Sequence, residues 1–97
     1  MPKGYWIGRM DVHNLEDYKK YVSANAKAFA AYNARFLIRG GPFECVEGDA
    51  RSRNVVIEFP SYQDALACYQ SDLYQNAKAL RDPVSEGDLI IIEGYDG

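Results

Sequence analysis

The chain has 97 residues, 47% of them hydrophobic and 26% charged, which predicts a single domain over residues 1–97 built on one thin core. The formal net charge is -3, and lysines and arginines are scattered along the chain, so the clustered basic footprint that a phosphate backbone requires is missing and nucleic acid is not an expected partner. No apolar run approaches the roughly 18 residues of a membrane span, and "MPKGYW" lacks the layout of a signal peptide; a cytoplasmic protein with no membrane partner is expected.

Residues 4–12, "GYWIGRMDV", alternate Trp6, Met10 and Val12 against Tyr5, Ile7, Arg9 and Asp11, the period of a strand. From His13 to Ala34 the period changes. Leu15, Tyr18, Val22, Ala26 and Phe29 fall three or four apart and predict one apolar stripe on a helix, with Asn14 as N-cap and Glu16 and Asp17 in a first turn that favours negative charge. "RFLIR", residues 35–39, returns to strand spacing. Gly40, Gly41 and Pro42 interrupt it, where a bulge or kink is expected, before "FECVE" resumes the alternation.

"GDARSRN" is a polar turn leading into "VVIEF", so the second and third strands are expected to form a hairpin that ends at Pro60. Ser61 followed by Asp64 resembles a capping box for the second helix, which can break and restart at Ser71, with Leu73, Ala77 and Leu80 inward. Asp82-Pro83 stops that helix, and "LIIIE" is a final strand.

The order β-α-β-β-α-β is the split βαβ arrangement of an α+β, ferredoxin-like sandwich: a four-stranded antiparallel sheet with both helices on one face. Strict alternation assigns Trp6, Met10, Val12, Phe36, Ile38, Val55, Ile57, Phe59, Ile90 and Ile92 to the helix side. It assigns Tyr5, Ile7, Arg9, Leu37, Arg39, Val56, Glu58, Leu89, Ile91 and Glu93 to the other. An apolar patch on that second face calls for a cover, and the simplest is a second copy, sheet against sheet, in a homodimer. Arg39 with Glu58, and Arg9 with Glu93, are the expected charge-assisted pairs across it.

The segments "KGYWI", "YNARFLIRGG", "VVIEFPS", "YQSDLYQNAKALR" and "DLIIIEG", in that order and spacing, resemble the domain-of-unknown-function family 1330 nearly end to end. The resemblance implies membership of the dimeric α+β barrel superfamily, in which two ferredoxin-like units pack their sheets into a barrel. That superfamily is similar in fold to cofactor-free monooxygenases, muconolactone isomerases and haem-handling enzymes, but fold alone does not transfer an activity.

No nucleophile-base pair, metal triad or phosphate loop is legible. Cys45 and Cys68 form no metal motif and read as reduced core thiols, while His13, the lone histidine, reads as an exposed turn residue and not as an acid-base or axial haem ligand; neither metal nor cofactor is expected. Eight tyrosines are many for this length, and those on helices read as core-edge residues, some lining a cavity beside Trp6. Tyr5, Arg39 and Glu58 are the candidate ligand-binding residues for a small organic acid or aromatic compound, with Arg39 on the acidic group and Tyr5 or Glu58 moving a proton. Two alternatives stand beside that: Arg39 and Glu58 as a structural ion pair only, and a non-catalytic dimeric binding or structural module.

Overall fold

The computed structural model describes residues 2–96. Strand β1 spans Gly4–Val12, helix α1 Leu15–Ala31, β2 Arg35–Arg39, β3 Arg53–Phe59, α2 Tyr62–Gln70, α3 Asp72–Arg81 and β4 Ser85–Glu93, with a 3-10 turn over Asp82–Val84 before the last strand. The sheet order is β2-β3-β1-β4 and every pairing is antiparallel, the ferredoxin-like α+β topology.

Short polar side chains set the helix starts as expected. Asn14 caps α1 by accepting from the Asp17 N–H, and Ser61 caps α2 by accepting from that of Asp64. Ser71 ends α2 and caps α3 by accepting from the Tyr74 N–H, so the second helix does break there. Pro83 falls inside the 3-10 turn that closes α3.

The buried faces differ from the expected stripes. In α1, Tyr18, Tyr21, Asn25, Ala28 and Phe29 turn inward while Leu15 and Ala26 are exposed; in α3, Tyr74, Ala77 and Arg81 turn inward while Leu73 and Leu80 are exposed. The aromatic rings decide the rotation. Trp6 lies at their centre, with Tyr74 4.7 Å, Phe29 5.2 Å, Phe59 5.4 Å and Tyr69 5.8 Å away between centroids, and rings carry more apolar area than the leucines they displace. The Trp6 indole N–H donates to the Ala65 carbonyl at 2.9 Å and ties α2 to β1. Gly4 permits the close approach of that helix, since a Cβ there would strike the backbone of Ser61 and Tyr62.

The faces assigned from sequence are wrong in two strands, in β2 because alternation breaks at a bulge and in β4 because a regular alternation has the opposite phase. In β2 the register jumps between Phe36, opposite Ile57, and Ile38, opposite Val56, so Leu37 is the extra residue of a bulge and Arg39 comes to lie opposite Val55. Ile38 therefore moves to the helix-free face and Arg39 to the helix side, the reverse of the sequence assignment. In β4, Leu89 pairs with Gly8 and Ile91 with Trp6, so these two face the helices while Ile90 and Ile92 do not. The expected "FECVE" strand does not form. Gly40 at φ +70° turns the chain away, Pro42 has no N–H to offer a ladder, and residues 41–52 cross to β3 as a loop, leaving Cys45 exposed instead of in the core.

Candidate functional site

Beneath α1 and α3 the sheet is not fully covered. A concavity opens there whose floor is Trp6, Gly8 and Met10 of β1, Phe36 and Arg39 of β2, Arg53, Val55 and Ile57 of β3, and Leu89 of β4. Tyr18, Tyr21, Val22, Asn25 and Phe29 of α1, with Tyr74 and Arg81 of α3, form its roof. Room for the centres of water molecules amounts to about 40 Å³, and the concavity together with the open solvent at its mouth spans about 480 Å³. Gly8 leaves the floor open, because a Cβ there would meet only Leu89 Cδ1, at 3.5 Å.

Among the described residues the lining has three arginines and no carboxylate. Arg39 is held by Phe36, its guanidinium carbon 4.0 Å from the ring centroid, and Arg53 lies 5.7 Å from the Tyr18 centroid. Arg53 also runs under Gly40, where a side chain would collide with its guanidinium. Among the described residues, neither Arg39 nor Arg53 has a carboxylate within 4 Å, whereas Arg81 keeps Asp82 at 3.5 Å. Arg53 Nε and Asn25 Oδ1 are both buried without a hydrogen-bond partner. Buried polar atoms are ordinarily paired, so two unpartnered ones on residues of one lining are an exception in the fold.

At the back, Arg81 Nη1 donates to the Tyr74 hydroxyl at 3.0 Å, and the Tyr74 and Tyr21 hydroxyls are 2.8 Å apart. Burial pushes the Tyr74 hydroxyl well above the ordinary tyrosine range and raises that of Tyr18 as well, so both are neutral donors at physiological pH.

Arg39, Tyr5 and Glu58 are not brought together. Tyr5 and Glu58 face each other across β1 and β3 on the helix-free side, with the Tyr5 hydroxyl donating to Glu58 Oε2 at 3.4 Å. Glu58 is also approached by Lys3 at 3.7 Å and Arg35 at 4.0 Å. The expected Arg39–Glu58 pair does not form, since the bulge sends Arg39 through to the other side. Arg9 binds Asp88 at 3.1 Å in place of Glu93, because Asp88 is its direct cross-strand neighbour. His13 is exposed, 3.9 Å from Glu86.

Of the helix tyrosines expected to line a cavity beside Trp6, Tyr18, Tyr21 and Tyr74 do so, while sequence reasoning missed Arg53, Arg81 and Asn25 as site residues. Their signal was a polar residue at a buried position: Asn25 lies seven residues after Tyr18 and four before Phe29 on the inward face of α1, and Arg53 shares parity with Val55, Ile57 and Phe59.

The helix-free face carries Ile7, Ile38, Ile90 and Ile92, which are 37%, 50%, 52% and 46% exposed. The apolar patch expected there exists, although Ile38, Ile90 and Ile92 take the places assigned to Arg39, Leu89 and Ile91.

A family model described as "Domain of unknown function (DUF1330)" matches residues 3–95. No curated protein matches the chain in sequence. Among solved structures, the chain is similar to the RPA0582 protein of unknown function from Rhodopseudomonas palustris (TM-score 0.78, 13% identity, 99% of this chain and 85% of that one). It is also similar to SnoaB, a cofactor-independent oxygenase from Streptomyces nogalater (0.67, 11%, 100% and 97%). A third is a dimeric ferredoxin-like protein of unknown function from Thermobifida fusca (0.65, 13%, 95% and 91%). At these identities the likeness is one of fold.

Proposed function

The chain belongs to the DUF1330 family, and from that premise we propose that it is a binding subunit for a small planar organic anion, paired with a second copy through its helix-free sheet face. The observation that carries the ligand reading is the cavity lining: three arginines, no carboxylate and an aromatic wall in one concavity. Guanidinium groups held against rings and short of carboxylate partners attract a carboxylate or phenolate, and Trp6, Phe36 and Tyr18 offer it flat apolar surface. Arg39 is retained from the sequence-based candidates as an anion-binding residue. Tyr5 and Glu58 belong to the proposed dimer face, where with Lys3 and Arg35 they form a polar border to the isoleucine patch.

Thermal melts of the whole chain with aromatic carboxylates, and with the matching amides and amines, test the ligand reading. The carboxylates are expected to raise the melting temperature in wild type and to lose most of that effect in Arg39→Gln and Arg53→Gln; equal response to all three ligand charges would reject it. Light scattering at micromolar concentration tests the pairing, with twice the 10.9 kDa chain mass expected.

A second reading, turnover of the bound anion, is supported by the likeness in fold to a protein named as a cofactor-independent oxygenase. Arginines beside an aromatic cavity also suit an oxyanion that develops during a reaction. A bound carboxylate recovered unchanged after prolonged incubation in air would leave the binding module alone standing.

A further inference from the structure

We infer that the cavity selects an anion carrying a hydrogen-bond donor of its own, in the class of hydroxylated aromatic acids: Arg53 and Tyr21 offer donors to its charged oxygens, and the Asn25 carbonyl accepts from its hydroxyl. This rests on the anion-binding reading above and specifies its ligand.

The direction of the tyrosine chain follows from donor arithmetic. Arginine can only donate, so Tyr74 accepts from Arg81. The Tyr74 side chain is 0% exposed, and Tyr21 Oη, at 2.8 Å, is the acceptor within its reach. If Tyr21 donated to Tyr74 instead, the Tyr74 proton would be buried with no acceptor, at a cost that natural interiors avoid. Tyr74 therefore donates to Tyr21, and the Tyr21 proton remains for whatever occupies the cavity. Tyr21 and Arg53, whose Nε has no partner, thus each bring an unused donor to the lining of one cavity.

Asn25 answers with the opposite polarity. Its residue is 4% exposed, and its Oδ1 is buried with no partner although arginines surround the same cavity. With no carboxylate among the described lining residues, this carbonyl is an acceptor that no described group of the chain uses. A simple carboxylate satisfies Arg53 and Tyr21 and still leaves Asn25 unpaired. An acid with a hydroxyl on its ring satisfies all three. Ordered water is the competing occupant, since about 40 Å³ is open to the centres of water molecules, room for about three of them.

Calorimetric titration of the whole chain with benzoate, 3-hydroxybenzoate, 4-hydroxybenzoate and their methyl ethers separates these cases. At least one hydroxybenzoate is expected to bind about tenfold or more tightly than benzoate, and its ether to lose that gain. Asn25→Leu, with a melt showing the folded state, is expected to abolish the gain, so that the hydroxybenzoate and benzoate bind alike. Asn25→Asp, which sets a negative charge in the lining, is expected to weaken all of these acids. Tyr21→Phe is expected to weaken benzoate and hydroxybenzoate alike. Benzoate binding with no advantage for any hydroxybenzoate, or an advantage that survives Asn25→Leu, overturns the inference and spares the anion site. No binding by any of these acids overturns both and leaves the cavity to water.

Discussion

Arg39 stacks on Phe36, its guanidinium carbon 4.0 Å from the ring centroid, although three positions separate them in a strand where such neighbours ordinarily point to opposite sides. The bulge at Leu37 makes the contact, and it decides which side of the sheet receives each of two adjacent residues.

Ile38 and Arg39 are therefore expected to dissociate cleanly in function. Ile38→Lys should weaken self-association measured by light scattering and leave aromatic-acid binding intact. Arg39→Gln should weaken that binding severalfold and leave the oligomer unchanged. Regular alternation in β2 predicts the reverse assignment.

Tyr74→Phe removes one hydroxyl that two buried groups use. Tyr21 loses its hydrogen-bond partner and Arg81 its neutral acceptor, so urea unfolding is expected to show a loss of about 1–3 kcal/mol. Tyr21→Phe leaves the Arg81 contact with Tyr74 in place and should cost less. Equal costs for the two variants would mean that Arg81 does not depend on Tyr74.

The cysteines are expected to differ sharply in reactivity. Burial pushes the Cys68 thiol up to about 12, while Cys45 stands exposed in the loop between β2 and β3. A disulfide reagent at pH 8 should therefore modify Cys45 quickly in the native protein and Cys68 only as the chain unfolds. Cys45→Ser should abolish the fast phase.

The loop that replaces the expected "FECVE" strand is anchored by Asp11, which accepts from the Ser52 N–H at 3.0 Å and from Arg51 Nη1 at 2.8 Å. The Ser52 N–H, and then Arg51, hold this carboxyl below its usual value of 3.8. A carboxyl lowered by folding contributes its stabilisation in full above the unfolded pKa and loses it as pH falls through the folded one. Asp11→Asn is thus expected to lower stability at neutral pH and to flatten the acid limb below about pH 4. A limb of unchanged steepness would assign the acid sensitivity to other carboxyls.

Two glycines of β1 are expected to respond oppositely. Gly4→Ala drives a methyl into the backbone at the start of α2 and should cost about 1–3 kcal/mol. Gly8→Ala meets only Leu89, so the protein should gain roughly 0.5–1 kcal/mol from reduced chain entropy, while the smaller cavity binds aromatic acids less well. Stability and binding moving together in Gly8→Ala would place the ligand elsewhere.

The element order, the antiparallel sheet and the cap residues Asn14, Ser61 and Ser71 could be read directly from the chain. Each depends on local chemistry: a side-chain oxygen reaching an N–H three residues ahead, or a run whose period is two or 3.6. The existence of an apolar helix-free face was legible too, because Ile7 and Val56 keep their parity. The candidate site was legible in one residue, Arg39, and not in its companions. Arg39 was singled out for binding acids, yet the residues named as its companions, Tyr5 and Glu58, lie across the sheet, and Asn25, Arg53 and Arg81 went unnoticed because polar residues at buried positions look like breaks in a pattern.

Sequence by itself, then, determined the ferredoxin-like chain path, since hydrophobic period and capping act within a few residues of one another. Tertiary structure alone decided which polar groups share a cavity. One added residue at Leu37 inverts every side chain after it in β2, and the direction in which α1 and α3 turn depends on how the rings close around Trp6, an energy summed over elements far apart in the chain.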